Sequence, residues 1–378
     1  MFDAMILNNV TPITGNGQTN IYLKNGKQLP LGGVAASALQ LDFGGALAFP
    51  GLVNSHDHLD FNLFPQLGDK TYNNYTEWGN YIHTNYKQEI EAVLKVPSAL
   101  RVSWGIFKNL LCGVTTVVNH GEHLVVKNAP ITIEQGHSIH SLQFEKWWKL
   151  KLNNPLKRKM PATIHIGEGD DNLANNEIDQ LNHWNLLHKK LIGVHGIAMT
   201  GEQAKKFEAL VWCPESNYFL FNKTARIDHL KNHTTILFGT DSTLTGNWNI
   251  WDHIRLARKT KMLTDAELYN SMYPRRAFCN LTDGHHDGAI VVTKKQPATN
   301  VFESFYATNP SDILLVIHHS QIRLFDASLL DQLKGIDLRN FSQVTINGCC
   351  KYIEGDLPGL MQQIKSYYPE AVFPVSAN

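Results

Sequence analysis

Between Ala48 and Leu281 the chain alternates short apolar runs with longer stretches of helical spacing. The runs "AFPGLVNSH", "GVTTVVNH", "ATIHIGE", "KKLIGVHG", "ALVWCPESN" and "TTILFGTDS" are almost wholly apolar until their ends. A strand that is apolar on both faces must be covered on both faces, as in a parallel sheet flanked by helices. Stretches such as "TEWGNYIHTNYKQEIEAVLKV", "ALRVSWGIFKNLLC", "NNEIDQLNHWNLLHKK", "TGEQAKKFE" and "IWDHIRLARKTKM" supply those helices. At roughly 230 residues the block fits an α/β fold of the TIM-like (β/α)8 barrel type, for which about 250 is typical. One portion is compressed. Only about 40 residues separate "GVTTVV" from "ATIHI", where two strand–helix units are due. "APITIEQG" and "HSIHSLQF" are the candidate strands there, joined by a shortened helix.

Both ends of the chain have a different texture. "AMILNNV", "TNIYLKNG" and "GGVAASALQLDFGG" precede the block; "DGAIVVTKK", "ESFYATNP", "DILLVIHHSQIRLFD" and "QVTINGCCKYI" follow it. All read as β-strands broken by Gly and Asn. The expected organisation is a small β-sandwich domain built from residues 1–47 and 282–350. It flanks a barrel over 48–281, and a C-terminal helical tail over 351–378 contains "GDLPGLMQQIKSYYPEAVF".

Charge and cysteine content exclude several function classes. Lys+Arg and Asp+Glu both total 34, so the chain carries no basic footprint for nucleic acid. Its five cysteines are odd in number, irregularly spaced and without a Cys-x-x-Cys pair, which argues against a disulfide framework or a thiolate zinc site. No apolar run approaches the roughly 20 residues of a membrane helix, and the N-terminus has no basic start before a long apolar stretch. The expectation is a cytoplasmic protein that handles a small molecule, with no nucleic-acid or membrane partner, as a monomer or a homodimer.

Chemistry gathers where the apolar runs end. In a (β/α)8 barrel the active site lies at the C-terminal ends of the strands. Those ends carry His56 and His58 (in "NSHDH"), His120, His165, His195 and Asp241. His56 and His58 are two apart, so on a strand both rings project from one face. Each residue alone has a plain structural reading. Asp241 in "FGTDS" could cap the next helix, a lone histidine could be a hydrogen-bonded core residue, and Glu168 in "HIGEG" could be a solvated loop carboxylate. "HHDG" at 285–288 and the pair His318–His319 lie in the flanking β segments and read as structural or surface. The conjunction at successive strand ends favours a shared partner, because buried imidazoles need hydrogen bonds or a metal. Imidazole and carboxylate together suit one divalent ion, Zn²⁺ first and Fe²⁺ as the alternative. Such an ion brings the pKa of water to about 7, and Glu168, three residues beyond His165, is a candidate proton shuttle.

Taken together these motifs resemble the amidohydrolase superfamily, metal-dependent hydrolases on a (β/α)8 barrel. The likeness is nearest to its mononuclear deaminase and triazine chlorohydrolase branch. "PGLVNSHDH", "GVTTVV", "HIGEG", "GVHG", "CPESN", "GTDS" and the closing "DGAIVV…NPSDILLVI" carry it over nearly the whole chain. The resemblance implies one metal held by His56, His58, His165 and Asp241. It implies that His195 steers water or substrate, that Glu168 moves protons and that Asp241 takes the proton of the attacking water. "HSIHSLQF" offers no lysine for a second metal. His120, Asn217 of the "CPESN" loop and Trp248 are candidates for contact with substrate. The implied reaction is hydrolytic deamination of a nitrogen heterocycle or related amine. Amidase, N-deacetylase, ring-opening and dehalogenating hydrolysis at the same site are the alternatives, and a non-enzymatic scaffold is disfavoured because no ligand position is lost.

Overall fold

β1 (Ala4–Pro12) folds back on β2 (Thr19–Lys24), which pairs with β3 (Lys27–Leu29); β4 (Leu39–Asp42) and β5 (Leu47–Pro50) run parallel to β1. The computed structural model describes residues 4–15, 17–25, 27–29, 38–274, 288–297 and 300–377. The expected boundary at 281/282 and the histidines of "HHDG" lie outside the described residues.

The central strands then follow in chain order. They are β6 (Leu52–Asp57), β7 (Val114–Asn119), β8 (Thr132–Gln135), β9 (His137–Ile139), β10 (Ala162–Ile166), β11 (Leu191–His195), β12 (Ala209–Trp212) and β13 (Thr235–Phe238). All pair parallel, in two sheets ordered β6-β7-β8 and β13-β12-β11-β10-β9. Side chains alternate between two apolar layers, as the period of a strand requires. Ile164, Ile166, Leu210, Trp212 and Phe238 belong to the large core shared with the helices. Val118, Ile192, Val194, Ala209, Val211, Cys213 and Leu237 form a separate buried cluster. The backbone N–H groups of Thr240 and Asp241, just past β13, donate to the His56 carbonyl at 3.2 and 3.1 Å, joining the last strand's end to the first.

The compressed segment differs from expectation. β8 and β9 are separated by Gly136 alone, with no helix between them: the first pairs with β7 and the second with β10. One continuous stretch thus bridges the two sheets where two strand–helix units were expected. Too few residues are available for a crossover helix, which needs a dozen or more.

The later strands are β14 (Ile290–Thr293), β15 (Ile313–His318), β16 (Gln321–Asp326), β17 (Phe341–Ile346), β18 (Cys349–Glu354) and β19 (Ser376–Ala377). β5 pairs antiparallel with β14, so strands from both chain ends share one sheet. "ESFYATNP", expected as a strand, is instead a helix over Val301–Tyr306, started by the Asn300 side chain accepting from the Glu303 N–H. That cap satisfies an amide the first helical turn leaves free. The tail is helical only over Leu357–Tyr367; residues 351–354 extend β18 and Ala377 pairs with Val344. The helix buries Leu357, Leu360, Met361 and Ile364, one face at i, i+3, i+4, i+7. His318 is buried and hydrogen-bonds Thr132 of β8 at 2.9 Å, tying the end of β15 to the central strands. Among the described residues no helix is long and apolar enough to cross a membrane.

Candidate metal centre

β6 ends in the stretch His56–Asp57–His58, and its alternation decides which side chain goes where. Asp57 turns away from its two neighbours into a wholly buried polar nest. Its Oδ2 accepts from Lys108 Nζ at 3.0 Å, Asn109 Nδ2 at 2.7 Å and Asn54 Nδ2 at 3.1 Å. Its Oδ1 accepts from Asn62 Nδ2 at 2.7 Å. The two imidazoles face the other way. There His165 Nε2 lies 3.0 Å from His56 Nε2 and 3.3 Å from His58 Nε2. Asp241 Oδ1 lies 3.8 and 3.6 Å from the same two nitrogens.

Ligand atoms about 2.1 Å from a tetrahedral ion lie about 3.4 Å apart, and these separations scatter about that edge length. Hydrogen bonding alone does not satisfy the set. Burial first, and neighbouring imidazoles second, push His56 and His165 well below the ordinary histidine value, so both rings are neutral at pH 7. Among the described residues His56 Nδ1 has no hydrogen-bond partner. Three imidazoles and a carboxylate converging without enough protons are the donor set of one divalent ion. The residues fit it.

Backbone strain aims two of the groups. His195 and Asp241 sit at φ +72° and +59°, left-handed values uncommon outside glycine. The strain costs about 1–3 kcal/mol at each such position. Asp241 is then pinned: Oδ1 accepts the Ser242 N–H at 2.9 Å, and Oδ2 accepts Ser216 Oγ at 2.9 Å and Thr245 Oγ1 at 3.0 Å. His195 Nδ1 donates to Asn217 Oδ1 at 2.8 Å, whose Nδ2 in turn donates to Thr224 Oγ1 at 3.0 Å. This fixes the tautomer and leaves the Nε2 lone pair of His195 directed at Glu168 Oε1 (3.6 Å) and Asp241 Oδ2 (4.0 Å).

Glu168 is buried on a loop whose shape depends on the glycine after it. Gly169 has φ +155°, and a Cβ there would stand 2.6 Å from the Asn73 carbonyl oxygen. Burial first, then the nearby carboxylates of Asp241 and Glu177, hold the Glu168 carboxyl well above the usual carboxylate range. Glu177 lies beneath the loop, accepting the Gly167 N–H at 2.9 Å, and burial raises it to about 7.

The sequence-predicted residues thus divide. His56, His58, His165, Asp241, Glu168 and His195 come together, and His120 packs against them with its ring centroid 4.5 Å from that of His165. Asn217 is near, but its amide is spent on His195 and Thr224, so it orients rather than binds. Trp248 is not brought in. It packs against the large core, and its carbonyl lies 3.9 Å from the thiol of Cys112, before the first residue of β7 and at the far end of that strand from His120. Sequence reasoning missed Ser216 and Thr245, which hold Asp241, and His140, whose ring centroid is 5.3 Å from that of His165. His140 ends β9 as the others end theirs, a signal hidden by the compressed register of that segment.

Comparison with solved structures places this arrangement. An adenosine deaminase from Xanthomonas campestris with bound zinc superposes with a TM-score of 0.69 at 15% identity, covering 97% of this chain and 98% of that one. The zinc complex of atrazine chlorohydrolase TrzN from Arthrobacter aurescens TC1 gives 0.65 at 14% identity, over 97% of this chain and 100% of that one. The chain shares the fold of these two enzymes. Guanine deaminase from C. acetobutylicum, with guanine in its active site, also shares it, at a TM-score of 0.59 and 14% identity over 84% of this chain and 99% of that one. Among curated proteins, the imidazolonepropionase of Kosmotoga olearia is 30% identical over 130 residues. That match spans 32% of this chain and 32% of that amidohydrolase. No family model matches the chain.

The centre makes a sharp packing prediction. A Cβ on Gly239 would stand 2.8 Å from His56 Cβ, 2.9 Å from Val211 Cγ1 and 3.0 Å from the His56 backbone nitrogen. Gly239→Ala therefore displaces His56, and overpacking of this kind costs about 1–3 kcal/mol. The expected outcome is a folded protein with lowered melting temperature and weakened metal retention on dialysis. Unchanged retention would show that His56 does not depend on this contact.

Proposed function

We propose that this chain is a metal-dependent hydrolase that deaminates a nitrogen heterocycle or a related amine-bearing small molecule. The observation that carries the reading is that His56 and His58 Nε2 face both His165 Nε2, at 3.0 and 3.3 Å, and the Asp241 carboxylate, at 3.8 and 3.6 Å, beside a buried carboxyl and an oriented imidazole. In this reading those four residues hold one divalent ion, Zn²⁺ in the first instance and Fe²⁺ as the alternative. Zinc bound in the adenosine deaminase and the chlorohydrolase of the same fold supports the choice. When bound, the ion supplies Lewis acidity and brings the pKa of water to about 7.

The chain's own residues supply the rest. Asp241 Oδ2, fixed by Ser216 and Thr245, accepts the proton of the attacking water. His195, its Nδ1–H tied to Asn217, offers its Nε2 lone pair to accept from that water or from a substrate N–H. Glu168 carries a proton in its buried setting and delivers it to the departing or ring nitrogen, the task of a general acid. His120, with free ring nitrogens, faces the same volume. The sheet shared by both chain ends supports a composite β domain around the central block. We place the enzyme in the cytoplasm, as a monomer or homodimer.

A dehalogenating reading keeps every role and changes only the leaving group. Chlorohydrolases of the same fold favour keeping it in view. A screen of purines, pyrimidines, pterins and triazines, read for ammonia against halide or carboxylate, separates the two. The expected result is one divalent ion per chain and ammonia release from at least one ring class. A chain that neither holds nor takes up an ion overturns the proposal.

A further inference from the structure

Resting on that reading, we propose that His120 is itself a ligand of the ion in the resting enzyme, a fifth donor that a substrate displaces. The residue follows β7, and its N–H donates to the Asp57 carbonyl at 2.8 Å, which fixes it beside the His56–His58 strand end. The residue is 2% exposed, yet among the described residues neither Nδ1 nor Nε2 has a hydrogen-bond partner. Leaving a buried polar group unpaired costs about 1–3 kcal/mol, so a ring with both nitrogens orphaned calls for a partner. The surroundings offer imidazoles rather than carboxylates or carbonyls. The ring lies nearly parallel to His165 with centroids 4.5 Å apart, and its centroid is 5.0 Å from that of His56 and 5.3 Å from that of His58. A ring nitrogen of His120 lies within 4.8 Å of the ligand atoms of both His56 and His165, so these three form a candidate donor group that shares His56 with the group His56, His58 and Asp241.

A purely substrate-binding role leaves that ring unpaired whenever the site is empty of substrate. Ligation removes the penalty. Catalytic zinc sites built on four positions can expand to five. His120 then occupies the position that water takes once substrate enters, and release of the ring frees it to hydrogen-bond the bound substrate.

The test is made without substrate, on protein loaded with Co²⁺, whose visible bands strengthen as coordination falls from five to four. The wild type is expected to give the weak bands of a five-coordinate ion. His120→Ala and His120→Asn are each expected to intensify them and to weaken cobalt retention against a chelator about tenfold or more, at least what is lost with an outer-shell partner of a ligand. A four-coordinate spectrum in the wild type overturns the proposal before any variant is made. Superposable spectra and retention in wild type and His120→Asn overturn it as well. His165→Ala is the control: loss of cobalt there with His120 variants unchanged defeats the His120 assignment alone, whereas a wild type that takes up no cobalt defeats the metal reading together with it.

Discussion

Glu168→Gln is expected to abolish turnover while leaving the metal in place. The two side chains have the same shape, so the loop between Gly167 and Gly169 keeps its path and the Glu168 carbonyl still accepts the Tyr75 N–H at 3.0 Å. What disappears is a transferable proton. The wild-type carboxyl is buried beside the carboxylates of Asp241 and Glu177, and both effects favour its protonated form. A carboxyl shifted in that direction is suited to protonating a leaving nitrogen, and general acid–base groups contribute about 10²–10⁴-fold. The expected loss in kcat is of that size, with metal content by elemental analysis unchanged. Since Glu168 Oε1 is 3.6 Å from His195 Nε2, the variant also separates the two roles. A proton donor changes kcat and its alkaline limb, where the wild-type carboxyl loses its proton, whereas a group that merely holds the imidazole alters KM as well. A Glu168→Gln variant of undiminished activity would falsify the assignment.

Much of this centre was legible because strand ends are legible. An apolar run that stops at a histidine marks both the end of a buried strand and the side of the sheet on which chemistry can gather. That rule found His56, His58, His120, His165, His195 and Asp241 without any knowledge of pairing. It failed where the strand itself was unclear. β8 and β9 are too short and too polar to declare themselves, four half-buried residues followed by a three-residue strand, so His140 at their end went unassigned. "ESFYATNP" failed for another reason: β-prone Phe and Tyr outweighed a single Asn300 cap, although the helix they form buries both Phe305 and Tyr306 against the core. Trp248 shows the limit of composition. An aromatic near a strand-end aspartate in sequence can run to the opposite end of the strands within a few residues. Ser216 and Thr245 could not be found at all, because a hydroxyl that holds Asp241 has the same sequence appearance as one that faces water.

The residue between the two histidines carries the other large effect. Asp57 and Lys108 form an ion pair at 3.0 Å with side chains 0% and 2% exposed, and Lys108 also donates to Asn62 Oδ1 at 3.0 Å. Lys108 lies on the inward face of the helix Ser98–Leu111, two turns beyond Arg101, which is also buried, so a cation occupies a position where packing alone would place an aliphatic side chain. Lys108→Met keeps most of the volume and removes the charge, leaving the Asp57 carboxylate buried with only amide donors. Breaking a buried pair from one side costs about 3–5 kcal/mol. We therefore expect a lowered denaturation midpoint for Lys108→Met and a similar loss for Asp57→Leu, which strands the ammonium. The double variant is expected to be less destabilised than the sum, because neither charge is then left alone; the coupling is read from the double-mutant cycle. The effect reaches the metal centre because Asp57 is covalently between His56 and His58. A carboxylate anchored by Lys108 and the Asn54, Asn62 and Asn109 amides fixes the backbone from which both imidazoles project, and the single variants should retain the ion less tightly in proportion to their loss of stability. Additive losses in the cycle, or single variants that unfold early yet hold the ion as well as wild type, would show that the buried pair supports the helix alone and leaves the geometry of the histidines to the sheet.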